Sequence, residues 1–233
     1  MRVIHILDHS IPLRTEYALR TITMLTQQRA LGWETFHVTG PHQGPVCAAE
    51  ECVDGWEFFR TQPPGGILEG VPGLGDIELM GEIAYRIEQL ARRVRPHILH
   101  VHSPLLNALP ALRVGRRLGL PVVYEIRPLG DKAQPGGAGR LQRRFTRGLE
   151  TWVMNRADAV TTVCAATRDE IVARGIPAAK VTVIPGGSKG TASAAGDGAD
   201  DAGRDPQAGG MWQASAALYQ FVYAHLVARG HEG

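Results

Sequence analysis

Apolar and polar positions follow two different periods along the first 185 residues of the chain. Short apolar runs that fit buried strands occupy residues 2–7, 34–39, 54–60, 97–102, 121–126, 159–163 and 181–184. Segments with apolar residues three and four apart predict helices at 17–31, 77–94, 107–118, 140–155 and 165–174. Because most strands arrive through a helix or a long loop, we predict an α/β fold: a doubly wound, mostly parallel, Rossmann-like sheet with helices on both faces.

The character of the sequence changes after residue 185. Residues 186–210 are mostly Gly, Ala, Ser and Asp without periodicity, a composition that predicts a flexible linker. A helical pattern resumes over 211–229, within a final segment 211–233. Because a lone amphipathic helix is marginal in water, we expect this helix to pack back on the domain formed by residues 1–185.

Composition narrows the class of protein. An apolar fraction of 44% with 21% charged residues is ordinary for a soluble globular domain, and a net charge of +2 is too small to indicate nucleic acid. No apolar run approaches the roughly 20 residues that a membrane-spanning helix needs. The first residues fit a strand rather than a signal peptide, so we predict a cytoplasmic protein.

The segment 95–127 has the strand, helix, strand order that joins two parallel strands. In a parallel sheet, ligands bind beyond the carboxyl ends of the strands. His102 and Ser103 lie at the end of the first of these strands, and Glu125 and Arg127 lie at the end of the second. Glu125 and Arg127 point to one face, where they could receive hydroxyl groups of a substrate or form a structural ion pair.

Three further substrate-binding candidates follow from the opening strand, loop and helix. Ser10 lies in the loop after the first strand, and Tyr17 and Arg20 lie in the first turns of the helix that follows. Arg20 could equally be a solvated helix residue. Asn107 completes the set, because it opens the helix that begins beyond Ser103.

Eight short motifs, in this order and at this spacing, resemble the N-terminal domain of family 4 glycosyltransferases, which have the GT-B fold of two facing Rossmann-like domains. The motifs are Leu7-Asp-His-Ser-Ile-Pro12, Arg29-Ala-Leu-Gly-Trp33, His100-Val-His-Ser-Pro104, Asn107-Ala-Leu-Pro-Ala111, Val123-Tyr-Glu-Ile-Arg127, Ala157-Asp-Ala-Val-Thr-Thr162, Arg174-Gly-Ile-Pro177 and Val183-Ile-Pro185. The resemblance covers residues 1–185. The nearest likeness is to the exosortase-associated subgroup, which is found with bacterial exopolysaccharide synthesis.

This resemblance implies transfer of a sugar from a nucleotide-sugar donor to a sugar or lipid-linked acceptor, with retention at the anomeric carbon. It implies no cofactor and no metal, and it implies that this domain holds the acceptor. In the resembled enzymes a histidine at the end of this strand faces the transferred sugar, which makes His102 the catalytic candidate. The alternative is that His97, His100 and His102 are all partly buried strand residues.

The sequence departs from the family in two places. The family usually has glycine in the first loop, where amides at a helix start approach the donor phosphates, and Glu16 would repel a diphosphate there. The donor-binding domain does not follow residue 185, although the last helix resembles the family's terminal helix. We therefore expect the isolated chain to be inactive. The alternative function is a non-catalytic module that binds an acceptor or a membrane and works with a separate donor-domain polypeptide.

Arginine clusters on the helices suggest a second surface. One predicted helix carries Arg140, Arg143, Arg144 and Arg147. Such a helix could lie on an anionic membrane, where each cation contributes about 1 kcal/mol, or it could present an ordinary solvated face. The first reading would place the protein peripherally at the inner face of the membrane. We do not expect nucleic acid as a partner, because no aromatic stacking platform accompanies the charge.

Overall fold

A computed structural model describes residues 1–44, 48–62, 74–127, 140–185 and 206–230. These residues contain one eight-stranded sheet with the order β3-β4-β2-β1-β5-β6-β7-β8, in which all neighbours are parallel except β3 and β4. The strands are β1 (Arg2–Leu7), β2 (Glu34–Thr39), β3 (Glu50–Val53), β4 (Trp56–Arg60), β5 (Ile98–His102), β6 (Val122–Ile126), β7 (Ala159–Thr162) and β8 (Val181–Val183). The predicted mostly parallel α/β sheet is confirmed.

The strand predicted over residues 54–60 is present as β4 (Trp56–Arg60), but the edge strand β3 that pairs with it was not predicted. Residues 50–60 form a β-hairpin in which β3 runs antiparallel to β4. Asp54 and Gly55 make the turn, with φ angles of 50° and 77° in the left-handed region that favours Asp, Asn and Gly. The edge strand β3 is largely exposed, so its residues lack the apolar run on which the prediction relied.

The helices within the described residues are α1 (Glu16–Ala30), α2 (Leu74–Val94), α3 (Leu105–Leu118), α4 (Arg140–Arg156), α5 (Ala165–Ala173) and α6 (Pro206–Gly230). The side chain of Thr15 caps α1 by accepting a hydrogen bond from the amide of Ala18. Gly119 ends α3 with a φ of 65°, as its position in the sequence predicts. Helix α6 begins five residues earlier than predicted, and residues 186–205 of the predicted linker lie outside the described residues.

The two faces of the sheet differ in chemistry. Because side chains alternate along a strand, Ile4 and Ile6 of β1 join an apolar core with α2 and α3, whereas His5 faces the opposite side. That opposite side is covered by α1 and α6, whose buried residues include Tyr219 and Tyr223. The register places His5 beside both His37 and His100. A row of histidines therefore crosses the centre of the sheet beneath α1 and α6.

Candidate functional site

A network of buried polar side chains lies between the sheet and the helices α1 and α6. The carboxylate of Glu125 accepts a hydrogen bond from Nε of Arg127 at 2.7 Å. Arg127 also donates to the hydroxyl of Thr21 at 2.9 Å and to Nδ1 of His102 at 3.0 Å. All four side chains are buried. Glu125 and Arg127 thus form an ion pair within the core, which is the second of the two roles that the sequence left open.

The hydrogen-bond partners assign the protons of the histidines. Because Arg127 donates to Nδ1 of His102, the proton of this ring belongs on Nε2, which donates to Nδ1 of His5 at 3.2 Å. Nε2 of His5 then donates to Oε1 of Gln28 at 2.8 Å. Burial, followed by repulsion from His100, lowers the pKa of His102 to about 3. The chain of donors therefore runs from a guanidinium through two neutral imidazoles to an amide.

Two tyrosines of helix α6 cover the network and contact its polar side chains. The hydroxyl of Tyr219 donates to Glu125, and the hydroxyl of Tyr223 contacts Nδ1 of His100. Burial and the charge of Glu125 raise the pKa of Tyr219 well above its ordinary value, so the phenol stays protonated. Burial alone would raise the pKa of Glu125, but Arg127 and the neighbouring histidines outweigh it and hold that pKa well below its usual range. The carboxylate is therefore ionised, paired and covered.

These contacts leave no access to the predicted catalytic residue. The side chain of His102 is 0% exposed, and both ring nitrogens are engaged by neighbours. A ligand reaches this ring only if α1 or α6 moves. The catalytic role of His102 stays a prediction.

Three histidines of the network come close enough to be considered as metal ligands. One nitrogen each of His5, His100 and His102 lies within 4.8 Å of the others, and all three rings are buried. Nδ1 of His5 and Nε2 of His102 are already joined by a hydrogen bond of 3.2 Å. Arg127 holds the proton of this bond on Nε2 of His102, and a protonated nitrogen cannot coordinate a metal. The donor set therefore fits a hydrogen-bond relay better than a cation.

The topological switch point of the sheet lies at the carboxyl ends of β1 and β5. The sheet order reverses between these two strands, since the chain continues outward to β2 on one side and to β6 on the other. Such a reversal creates a crevice in which ligands bind. Its walls approach closely, because a Cβ atom at Gly40 would lie 3.2 Å from Oδ1 of Asn107 and 3.4 Å from the carbonyl oxygen of Asp8.

A partly exposed carboxylate and two histidines stand at this edge. The carboxylate of Asp8 accepts hydrogen bonds from Nδ1 of His9 at 2.9 Å and from Nδ1 of His42 at 2.6 Å. The His42 side chain is 59% exposed, so its Nε2 atom can meet a ligand. The hydrogen bond to Asp8 raises the pKa of His42, and the hydrogen bonds from both histidines lower the pKa of Asp8 against the opposing effect of burial.

Arg60 fixes the loop that carries Asp8 and His9. Its buried guanidinium donates to the carbonyl oxygen of Ile11 at 2.7 Å and to Oε1 of Gln43 at 2.8 Å. The same Gln43 oxygen accepts the amide proton of Ser10 at 2.7 Å. Sequence reasoning missed both Arg60 and His42. The only available signal was Arg60 at the end of an apolar strand. An arginine is rarely buried at such a position unless its charge is paired.

The remaining predicted residues form hydrogen bonds with backbone groups near the crevice and the polar network. The hydroxyl of Tyr17 accepts the amide proton of Asp8 at 3.0 Å, and the hydroxyl of Ser103 accepts that of Arg127 at 3.3 Å. Asn107 donates to the carbonyl oxygen of His102 at 3.4 Å. Ser10, Ser103 and Asn107 are buried.

Arg20 lies against helix α6, and the two α4 arginines of the predicted surface whose side chains are described are exposed. The guanidinium of Arg20 lies 5.7 Å from the centre of the Trp212 ring of α6. Arg144 and Arg147 are exposed on α4, whereas the side chains of Arg140 and Arg143 lie outside the described residues. Whether these four residues meet a membrane stays a prediction. Within the described part of the chain, no helix is long and apolar enough to cross a bilayer.

Comparison with protein families gives one match. The family described as the glycosyl transferase 4-like domain matches residues 17–187. No curated protein sequence matches the chain.

Solved structures share the fold at low identity. A sucrose-phosphate synthase from Thermosynechococcus elongatus has a TM-score of 0.62 at 13% identity, covering 97% of this chain and 99% of that one. The lipopolysaccharide outer core galactosyltransferase WaaB has a TM-score of 0.51 at 11% identity, covering 79% of this chain and 45% of that one. A UDP-N-acetylglucosamine 2-epimerase from Rickettsia bellii has a TM-score of 0.51 at 13% identity, covering 80% and 45%.

The chain thus spans less than half the length of the last two structures. At these identities the likeness shows the Rossmann-like GT-B fold alone, which transferases and an epimerase share.

Proposed function

Because this chain belongs to the glycosyl transferase 4-like domain family, we propose that it is the acceptor side of a retaining glycosyltransferase that uses a nucleotide-sugar donor. The predicted resemblance to family 4 is thereby confirmed. The exosortase-associated subgroup, and with it a role in exopolysaccharide synthesis, stays a prediction.

One observation carries the proposal: the crevice between the ends of β1 and β5 is lined by groups that suit a sugar. The imidazole of His42 donates through Nδ1 to Asp8, which leaves Nε2 exposed to form a hydrogen bond with a sugar hydroxyl. Asp8 keeps this orientation because its other oxygen is bound by His9. We therefore assign binding of an acceptor hydroxyl to His42, with Asp8 and His9 as positioning residues.

The proposed reaction needs a second wall. Glycosyl transfer in a GT-B enzyme takes place between two Rossmann-like domains, and the described residues contribute one sheet. A nucleotide-binding domain would face the carboxyl edge of this sheet, and the chain alone would not turn over. Detection of sugar transfer from any nucleotide sugar by the purified chain would overturn this part of the proposal.

The test of the acceptor role follows histidine side-chain NMR signals while a panel of oligosaccharides is titrated into the chain. We expect a binding sugar to shift the His42 signals and not those of His37, which is a fully buried residue of β2. Asp8→Asn should weaken that binding about tenfold, because the imidazole loses its orienting carboxylate. The matched control is His225→Gln, which alters an exposed histidine on α6. Binding that shifts His225 and not His42 would contradict the proposal.

A second candidate is a non-catalytic module that partners a separate donor-domain polypeptide at an anionic membrane. The observation that favours it is Phe145, which is 71% exposed between Arg144 and Arg147 on α4. An exposed aromatic side chain flanked by cations is typical of an interfacial helix. Co-purification of a donor-domain polypeptide that lacks its own acceptor domain would favour this candidate.

A further inference from the structure

A groove runs between α2 and α3, on the face of the sheet opposite α1 and α6. It has a volume of about 450 Å³. We call it the apolar groove, and its apolar lining consists of Ile77, Met80, Ala84, Leu109, Pro110 and Val114. Ile77 and Tyr85 stand at its rim and are 60% and 59% exposed. Side chains of this kind remain open to water only at a cost that a covering ligand would remove.

The apolar groove opens onto a basic pocket at the C-terminal end of α3. This arginine pocket, of about 1130 Å³, shares Leu109, Arg113 and Arg117 with the groove. Its guanidinium groups are those of Arg113, Arg116, Arg117, Arg156 and Arg229, contributed by α3, α4 and α6. Trp152, which is 45% exposed, forms part of its wall.

Acidic groups neutralise little of this charge. Glu88 binds Arg117 at 2.6 Å, but it also binds Arg92 at 2.7 Å. Asp158 accepts the amide proton of Val122 at 2.8 Å. Within the described residues, it forms no ion pair with the arginines of this pocket. Within the described ranges, Arg113 and Arg116 have no acidic partner and are exposed. Exposed guanidinium groups without an acidic partner can each donate two hydrogen bonds to the oxygens of a phosphate.

We propose that the apolar groove and the arginine pocket together bind an anionic phospholipid, with one acyl chain along α2 and α3 and the phosphate at Arg113 and Arg116. The two chemistries meet at Arg113 and Arg117, which line both cavities. A free phosphate would use the arginines alone. An amphiphile also covers the apolar groove, which is why a lipid fits the combined site better.

The site lies away from the sugar crevice. The arginine pocket is lined by Gly119, Pro121 and Val122, at the amino end of β6, whereas the crevice lies at the carboxyl ends of the strands. Lipid binding is therefore independent of the proposed transfer reaction. Among the arginines of the surface predicted at Arg140 to Arg147, Arg144 and Arg147, whose side chains the structure describes, do not line the pocket.

The first experiment measures co-sedimentation of the purified chain with phosphatidylcholine vesicles that contain phosphatidylglycerol, whose negative surface potential attracts basic segments. The double variant Arg113→Gln/Arg116→Gln should bind about 30-fold more weakly, since it loses two unpaired cations that each contribute about 1 kcal/mol near an anionic surface. The matched control, Arg14→Gln/Arg168→Gln, removes two arginines near the carboxyl edge and should bind within about twofold of the unaltered chain. Equal binding by the two double variants, or no binding by the unaltered chain, would overturn the proposal.

A second variant tests the acyl chain separately from the phosphate. Ala84→Glu places a carboxylate in the apolar groove, and circular dichroism checks that the variant is folded. We expect it to lose vesicle binding as strongly as the double arginine variant while its affinity for inorganic pyrophosphate stays within about twofold. If pyrophosphate abolishes vesicle binding by competition and Ala84→Glu binds vesicles normally, the site takes a free phosphate and the lipid proposal is wrong.

Discussion

At the scale of single residues, the pairing of Glu125 with Arg127 has the largest energetic consequence. Burial of an unpaired charge costs several kcal/mol. Within the described residues, the carboxylate of Glu125 is the acidic partner of the buried Arg127 guanidinium. We predict that Glu125→Gln lowers the free energy of unfolding by about 3–5 kcal/mol, measured by urea denaturation at pH 7. Glu82→Gln on the exposed side of α2 should stay within about 0.5 kcal/mol. A loss below about 1 kcal/mol for Glu125→Gln would contradict the account.

The buried histidines make stability depend on pH. Burial lowers the pKa of His37 to about 4, while the unfolded chain takes up this proton near pH 6.5. Because the unfolded state binds more protons between these values, stability falls as the pH drops through this window. The expected slope is about 1.4 kcal/mol per pH unit for each such histidine.

Urea midpoints between pH 7.5 and 4.5 measure this slope directly. His37→Gln should reduce the slope by about 1.4 kcal/mol per pH unit, because one proton fewer is then taken up on unfolding. An unchanged slope in this variant would show that His37 is accessible to protons in the folded state. His42 acts in the opposite direction: its raised pKa stabilises the fold below pH 6.5 and ceases to do so as the pH rises.

At the scale of secondary-structure elements, the packing of α3 on the sheet depends on one glycine. A Cβ atom at Gly115 would lie 2.5 Å from Cγ2 of Val122 and 2.9 Å from the carbonyl oxygen of Leu120. Gly115→Ala should therefore destabilise the fold by about 1–3 kcal/mol, although alanine is the better helix former. Gly148→Ala on α4 has nothing within 4 Å and should stabilise by up to about 1 kcal/mol. Thermal unfolding of both variants checks the opposite signs.

Most elements could be predicted from the sequence, because local periodicity determines them. Strand β1 and the end of α3 at Gly119 were predicted at the observed positions. The edge strand β3 was missed, because Glu50 and Glu51 carry no apolar signal, whereas its partner β4 was predicted. Alternation along β6 also placed Glu125 and Arg127 on one face, which the structure confirms.

The parts of the site that could not be predicted depend on residues distant in sequence. Tyr219 contacts Glu125 across 94 positions, and nothing in either local sequence indicates that α6 would cover the network. His42 reaches Asp8 across 34 positions because β1 and β2 are adjacent in the sheet. Sequence reasoning therefore pointed to the carboxyl edge of the sheet, and its candidate His102 lies buried beneath this edge; the site and the role of His102 both stay predictions.

At the scale of the whole molecule, the chain combines a covered polar network with an open crevice at one sheet edge. Arg60 and Gln43 hold the first loop in place, and Glu16 in the first turn of α1 brings a carboxylate to the helix start where a donor diphosphate would approach. A carboxylate at this helix start is unfavourable for a diphosphate. We therefore propose that the donor nucleotide binds to a second domain that faces the crevice, and that the domain formed by residues 1–185 binds the acceptor.

Isothermal titration of the purified chain with nucleoside diphosphates and nucleotide sugars tests this assignment most directly. The account predicts no saturable heat at ligand concentrations of about 1 mM, where binding would be worth only about 4 kcal/mol. The variant Glu16→Gln should behave in the same way, because removal of one carboxylate does not create a nucleotide site. Saturable one-to-one binding of a nucleotide sugar to the unaltered chain would contradict the central claim and make this domain a donor site.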